Sequence, residues 1–248
     1  MRVLAWRAGL LALLLLGWEV GARQLNPLLY VPPSAVLPAL GRILGLEAWP
    51  EFPEHLALTV REILLAYLLA VSTGLGLGFL LGLRARLGAV YEPILAALYA
   101  VPSVVWYPSL MLFFGLGPSS KVAFGFLLGF FPVVLAVLAG IRQVDRHLLT
   151  VAVSMGARPR TLFVKVVLPA MSATLISGLR AGLALTVVGV IVGEVLGSKA
   201  GLGYLINYAY GLLRTPEYVA LVVIILALVM ALDGLAAAVE ARSRRWSA

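Results

Sequence analysis

Six apolar segments, at roughly 8–25, 56–82, 89–114, 121–140, 170–196 and 216–239, take up most of this 248-residue chain. Each is near or above the ~20 residues that a helix needs to cross a bilayer. A lipid interior offers the backbone no hydrogen-bonding partner, so such segments must be helices that satisfy their own amides. The expected fold is therefore all-α and polytopic, with about six transmembrane helices. Only 12% of the residues are charged, against about 25% in soluble domains. No internal repeat or long linker divides the chain, so residues 1–248 read as a single transmembrane domain.

The first segment is the weakest, because Gly17, Trp18 and Glu19 interrupt it and Arg2 and Arg7 precede it. That pattern also fits a signal peptide cleaved near Ala22. An uncleaved anchor is favoured, because an even number of spans puts both basic termini on one side.

The net charge of +8 does not point to nucleic acid, since no dense basic tract with interleaved aromatics occurs. The basic residues follow the positive-inside pattern. Arg2, Arg7, Arg84, Arg86, Arg142, Arg146, Arg158, Arg160, Lys165, Arg242, Arg244 and Arg245 fall on one side, twelve of the nineteen. Both termini and the 141–169 connection are expected on the cytoplasmic side of the membrane. The largest outer segment, 26–54, carries Pro27, Pro32, Pro33, Pro38, Pro50 and Pro53. Within it Ser34–Leu44 reads as a short amphipathic helix on the outer surface, a lid or brace.

Glycines recur at helical spacing: Gly74, Gly78 and Gly82; Gly125 and Gly129; Gly178 and Gly182; Gly189, Gly193 and Gly197. Small residues on one face let membrane helices approach closely, so spans two, four and five are expected in a crowded bundle. Pro102 and Pro108 break span three, with Ser103, Trp106, Tyr107 and Ser109 around the break. Two readings stay open, a lining of a translocation pathway or a static kink. Among intramembrane charges, Glu194, near the outer end of span five, is the candidate for a gate or subunit contact. Asp233 in span six reads equally well as a buried structural hydrogen-bonder. Arg180 and Glu194 lie fourteen residues apart, about 21 Å along a helix, and do not pair.

Catalysis finds little support. No cysteine is present, the two histidines, His55 and His147, are far apart, and no metal-ligand spacing, serine elbow or phosphate-binding loop occurs. No metal or cofactor is expected on the chain, and any energy source lies elsewhere.

One polar stretch, T-V-A-V-S-M-G-A-R-P-R-T-L-F-V-K-V-V-L-P at 150–169, cannot be a span. Its spacing resembles the cytoplasmic loop E-A-A-x3-G-x9-I-x-L-P of binding-protein-dependent ABC importer permeases. The positions are filled here by Thr150, Val151, Ala152, Gly156, Val166, Leu168 and Pro169. Thr150 stands where the family usually has glutamate, with Arg146 or Asp145 nearby as substitutes. Trp18-Glu19, Asn26-Pro27, Pro32-Pro33-Ser34, Val101-Pro102, Phe114-Gly115-Leu116-Gly117, Ser120-Lys121, Gly193-Glu194 and Gly201-Leu202-Gly203-Tyr204 extend the likeness to permeases of the nitrate, sulfonate, taurine and thiamine-precursor group.

The resemblance implies a type I importer permease that moves a small polar solute inward by alternating access, either a nitrate-, sulfonate- or taurine-like anion or a thiamine pyrimidine precursor. It implies a homodimer with two cytoplasmic ATPase subunits that use the ATP and an extracytoplasmic binding protein. The loop would dock on the ATPase, with Gly156 at the turn, Ser154, Met155, Ala157, Arg158 and Pro159 in contact, and Pro169 opening the next span. Substrate would pass between the two copies, past spans three and five. The rival class is an ion-coupled secondary transporter, which should show inverted repeats and more mid-span charges.

Overall fold

A computed structural model describes residues 2–26 and 29–244. Pro27 of the outer proline set and Arg245 of the basic set lie outside the described residues. Among them every regular element is helical. In chain order these are α1 Arg2–Gln24, α2 Pro33–Leu44, α3 Phe52–Gly82, α4 Ala85–Ala100, α5 Tyr107–Phe114 and α6 Pro118–Arg142. There follow α7 Arg146–Ser154, α8 Pro159–Leu162, α9 Leu168–Gly197, α10 Leu202–Gly211 and α11 Thr215–Arg244. A 3-10 turn, Ser103–Trp106, precedes α5, and a π-helical stretch, Phe163–Val167, joins α8 to α9.

Four stretches among the described residues are long and apolar enough to span a membrane: α3, α6, the continuous run Pro159–Gly197, and Thr215–Ala238. The expected third span, 89–114, is instead two helices, α4 and Ser103–Phe114, bent by 84°. Counting that pair as one gives up to five. The physical cause is Pro102, which has no N–H to continue the ladder and forces Val101 into extended backbone (φ −66°, ψ 131°). The first expected segment, 8–25, is helical within α1 but is not among these five.

The fifth span also begins earlier than expected. Pro159 sits at a helix start, where its missing N–H costs nothing, and the run continues for 39 residues to Gly197. Pro169 therefore lies inside a helix rather than at its opening. Its ring would collide with the carbonyl four residues back. The π-helical stretch immediately before it, closed by the Leu168 N–H on the Phe163 carbonyl, shifts that carbonyl out of the α ladder.

Contacts divide the fold into two units, one of the residues up to Thr59 with Glu194–Leu228, the other of Val60–Gly193 with the residues from Val229 on. In the first, α2 buries Val36, Ala39 and Ile43, as its amphipathic pattern requires. Glu19 accepts from the Ser34 amide at 3.0 Å and the Ser34 hydroxyl at 2.7 Å, so the charge in the first apolar segment satisfies the start of α2. Arg42 closes the other end on Glu217 at 2.8 Å.

In the second unit the glycines do what their spacing suggests. A Cβ at Gly178 would lie 2.0 Å from the Ala136 Cβ, and one at Gly129 would meet the Gly182 carbonyl at 3.0 Å. Gly74, Gly78 and Gly82 face Val133, Val137 and Ile141 in the same way. Backbones thus touch where lipid supplies no hydrophobic drive. Apolar clusters around Leu81, Leu95, Val134 and Leu138, and around Val137, Val144, Val167 and Met171, fill the remaining space.

Candidate functional site

The 150–169 stretch is ordered as a helix, a turn and a second helix. Asp145 accepts from the His147 amide at 2.8 Å and so caps α7. Thr150 turns its hydroxyl back onto the Arg146 carbonyl at 2.9 Å, and Ser154 does the same onto Thr150 at 3.0 Å. The α7 C-terminus closes in a Schellman motif. The Gly156 amide donates to Val153 at 2.9 Å and the Ala157 amide to Ala152 at 3.0 Å. Gly156 has φ +79°, the left-handed geometry that glycine enters without penalty. Ala152 and Ala157 are half-buried, whereas Ser154, Met155, Gly156, Arg158, Pro159 and Arg160 are exposed. Met155 is the extreme, at 82% exposure, and Leu148, Val151 and Val153 add apolar surface along α7. Leu168 and Pro169 follow the π-helical stretch directly, within the continuous run Pro159–Gly197. An apolar knob flanked by two guanidinium groups stands on a rigid turn.

The break in span three forms a pocket of about 310 Å³. Tyr99, Pro102, Ser103, Trp106, Phe131 and Leu185 are among its walls, and no charged side chain lines it. The Tyr99 and Phe131 rings lie 5.9 Å apart. Tyr107 is not on that wall. It is fully buried, packs on Phe124 at 5.0 Å and donates its hydroxyl to the Gly193 carbonyl at 2.5 Å. Lys121 is equally buried and donates to the carbonyls of Leu116 and Gly117, in the connection between α5 and α6.

Glu194 is 1% exposed, inside a polar cluster of the first unit. Its carboxylate accepts from the Thr59 hydroxyl at 2.6 Å and the Gly203 amide at 2.7 Å. The Leu202 amide donates to the Thr59 hydroxyl at 2.8 Å and the Gly201 amide to His55 Nδ1 at 2.9 Å. Nδ1 therefore carries no proton. Gly201 has φ +105°, and a Cβ there would come within 2.2 Å of Glu194 Oε1, so both geometry and space demand glycine. His55 and Thr59 were not singled out as partners of Glu194 by the sequence. Their spacing of four, on one helix face, was the available signal. Asp233, considered above as a buried hydrogen-bonder, is half-exposed and forms a two-point ion pair with Arg180, at 2.8 and 2.9 Å. Glu92 pairs with Arg142.

No cluster of three or more His, Asp or Glu side chains among the described residues could hold a metal ion. Residues 74–245 match the family described as binding-protein-dependent transport system inner membrane component. The taurine transport system permease protein TauC of Escherichia coli is 30% identical over 242 residues, covering 96% of this chain and 88% of that protein. The formylaminopyrimidine transport permease protein ThiX of Halalkalibacterium halodurans is 32% identical over 192 residues, 77% of this chain and 76% of that one. An inward-facing structure of the MetNI methionine ABC transporter shares the fold, with TM-score 0.63 at 20% identity over 81% of this chain and 99% of the other. The chain thus belongs to the inner-membrane components of binding-protein-dependent transport systems: it is an ABC importer permease, a multi-pass transport subunit whose ATP is hydrolysed by a separate partner.

Proposed function

We propose that two copies of this chain form the translocation unit of an importer for a small polar solute. Two ATP-binding cassette subunits would grip the 150–169 stretch from the cytoplasm, and an extracytoplasmic binding protein would deliver the solute. The observation that carries the reading is the Schellman turn at Gly156, which presents Met155 at 82% exposure beside Arg158 and Arg160. Leu148, Val151 and Met155 are all exposed at helical spacing, and a contiguous apolar face of that kind marks a surface that a partner covers. Ser154, Met155, Ala157, Arg158 and Pro159 form the contact. Thr150 replaces the family acid and serves its own helix through the Arg146 carbonyl.

Alternating access moves the solute past the bend at Ser103 and Trp106. Tyr107 braces that bend from behind, and Glu194 holds the turn that ends α9. Relatives are named for taurine and for formylaminopyrimidine, both small polar solutes. An ion-coupled carrier is disfavoured because such carriers have no ATPase to receive the loop.

Met155→Asp and Arg158→Glu test the docking assignment, since both side chains are exposed and the fold tolerates them. Membrane insertion should stay normal while co-purification of the ATPase subunit and ATP-driven uptake fall at least ~10-fold, the effect of about 1.4 kcal/mol. Undiminished uptake and ATPase association in both variants would remove the 150–169 stretch as the docking site.

A further inference from the structure

The turn that joins α9 to α10 is held by side chains of α3 and α9, and one of them can hold it in a single protonation state only. Thr59 accepts from the Leu202 amide at 2.8 Å and donates to Glu194 at 2.6 Å, while Glu194 accepts from the Gly203 amide at 2.7 Å. His55 completes the set by accepting from the Gly201 amide at 2.9 Å. A neutral imidazole has one acceptor nitrogen, and here it is Nδ1, so the ring proton sits on Nε2. A second proton turns Nδ1 into a donor. Two N–H groups would then face each other across 2.9 Å, and the contact must open.

The charged ring has partners on its other side. Glu51 Oε2 lies 3.9 Å from Nε2, and Glu51 is 79% exposed, at the solvent edge of the cluster. Glu54, the chain neighbour of His55, is exposed as well. Tyr204 of α10 stacks on the imidazole, with ring centres 5.8 Å apart and planes 20° from parallel, a geometry that holds a cation on an aromatic face. Glu194 adds a negative charge behind Thr59, and Lys199, exposed in the α9–α10 connection, is the basic residue of that segment. The amide that would be freed belongs to Gly201, and glycine has more backbone conformations open to it than any other residue. Both states of His55 are thus provided for: the neutral ring by the backbone of the turn, the charged ring by two carboxylates and a tyrosine face.

We infer that His55 is a proton-operated latch on the outer end of the fifth span: the neutral ring pins Gly201, and protonation frees it while Thr59 and Glu194 keep hold of Leu202 and Gly203. The clasp is complete above the ordinary imidazole range, about pH 6.5, and is lost as the pH falls through it. Acid on the outer face therefore loosens the α9–α10 turn, and a return to neutral pH tightens it. The outer placement of this turn rests on the importer reading above.

The test uses the full chain in lipid nanodiscs and reads two signals from about pH 5 to about pH 8. The chain has two histidines, so nitrogen-labelled imidazole gives two sets of resonances, and His147→Gln assigns them. The His55 ring should show the Nε2-protonated tautomer at the alkaline end and lose it as the pH falls. Deuterium exchange of the 196–206 segment, corrected for the intrinsic pH dependence of exchange, should rise about tenfold with the same midpoint, the effect of losing one hydrogen bond. His55→Asn supplies an uncharged acceptor in place of Nδ1 and should keep exchange slow at every pH, whereas His55→Ala should leave it fast at every pH. Glu51→Gln, at an exposed site that the fold tolerates, should move both midpoints to lower pH by roughly a few tenths of a unit. Exchange that ignores pH, or midpoints unmoved in Glu51→Gln, overturns the latch. So does a pH response that persists in His55→Asn, which would hand the transition to Glu194. The same preparations are scored for co-purification of the ATPase subunit. If that association persists while exchange ignores pH, the latch falls and the importer reading stands.

Discussion

At the scale of single residues, three helices of this protein end in the same motif with different residues at its left-handed position. After α7 it is Gly156, at φ +79°. After α2 it is Leu46, at φ +61°, with the Glu47 amide reaching back to Arg42 at 2.9 Å. After α10 it is Leu213, at φ +54°, with the Arg214 amide on the Ala209 carbonyl at 2.9 Å. A side chain in this conformation costs roughly 1–2 kcal/mol, and Leu46 and Leu213 remain 40% and 54% exposed, so burial offsets only part of it. Leu213→Gly should therefore stabilise the folded chain by about 1 kcal/mol. The measurement is the thermal midpoint in detergent. An unchanged or lowered midpoint would mean that Leu213 makes a compensating apolar contact in the membrane.

At the scale of elements, the glycine stripes separate contact from accident. Gly178 abuts Ala136, whereas a Cβ at Gly76 meets nothing within 4 Å. Gly178→Leu should force α6 and α9 apart and cost several kcal/mol, in the range of severe overpacking. Gly76→Ala should be neutral or stabilising by up to ~1 kcal/mol. Thermal midpoints of the two variants settle the point, and equal midpoints would refute the packing account. The stripes were legible before the fold because a period of four on an apolar helix has one physical use. The same holds for the amphipathic α2 and for Gly156, whose spacing to Leu168 and Pro169 is a long-range pattern of residue types. What could not be read was tertiary. The partners of Glu194 come from α3 and the start of α10, and the ion pair of Arg180 with Asp233 joins residues 53 apart. The pocket needed Phe131 brought up against a helix break whose angle no local signal states.

For the whole molecule, the basic residues and the absence of cysteine combine into a clean experiment. With no native thiol in 248 residues, a single introduced cysteine is the sole site for a membrane-impermeant maleimide. Met155→Cys and Tyr210→Cys place it at positions 82% and 67% exposed. If the charge asymmetry sets the orientation, position 155 should label only in inside-out vesicles and position 210 only from the outside of intact cells. Labelling of both from one side would invert or break the proposed topology. The run Pro159–Gly197 adds a mechanical point. Its 39 residues make a rod about 58 Å long, nearly twice the ~30 Å thickness of a bilayer's hydrocarbon core. Tilting such a rod about one end by about 10° sweeps its other tip through about 10 Å. Leverage of that size means that a small rotation at the polar end suffices for a large stroke. The one widened π turn near that end, Phe163–Val167, is where the stroke can be lost to play.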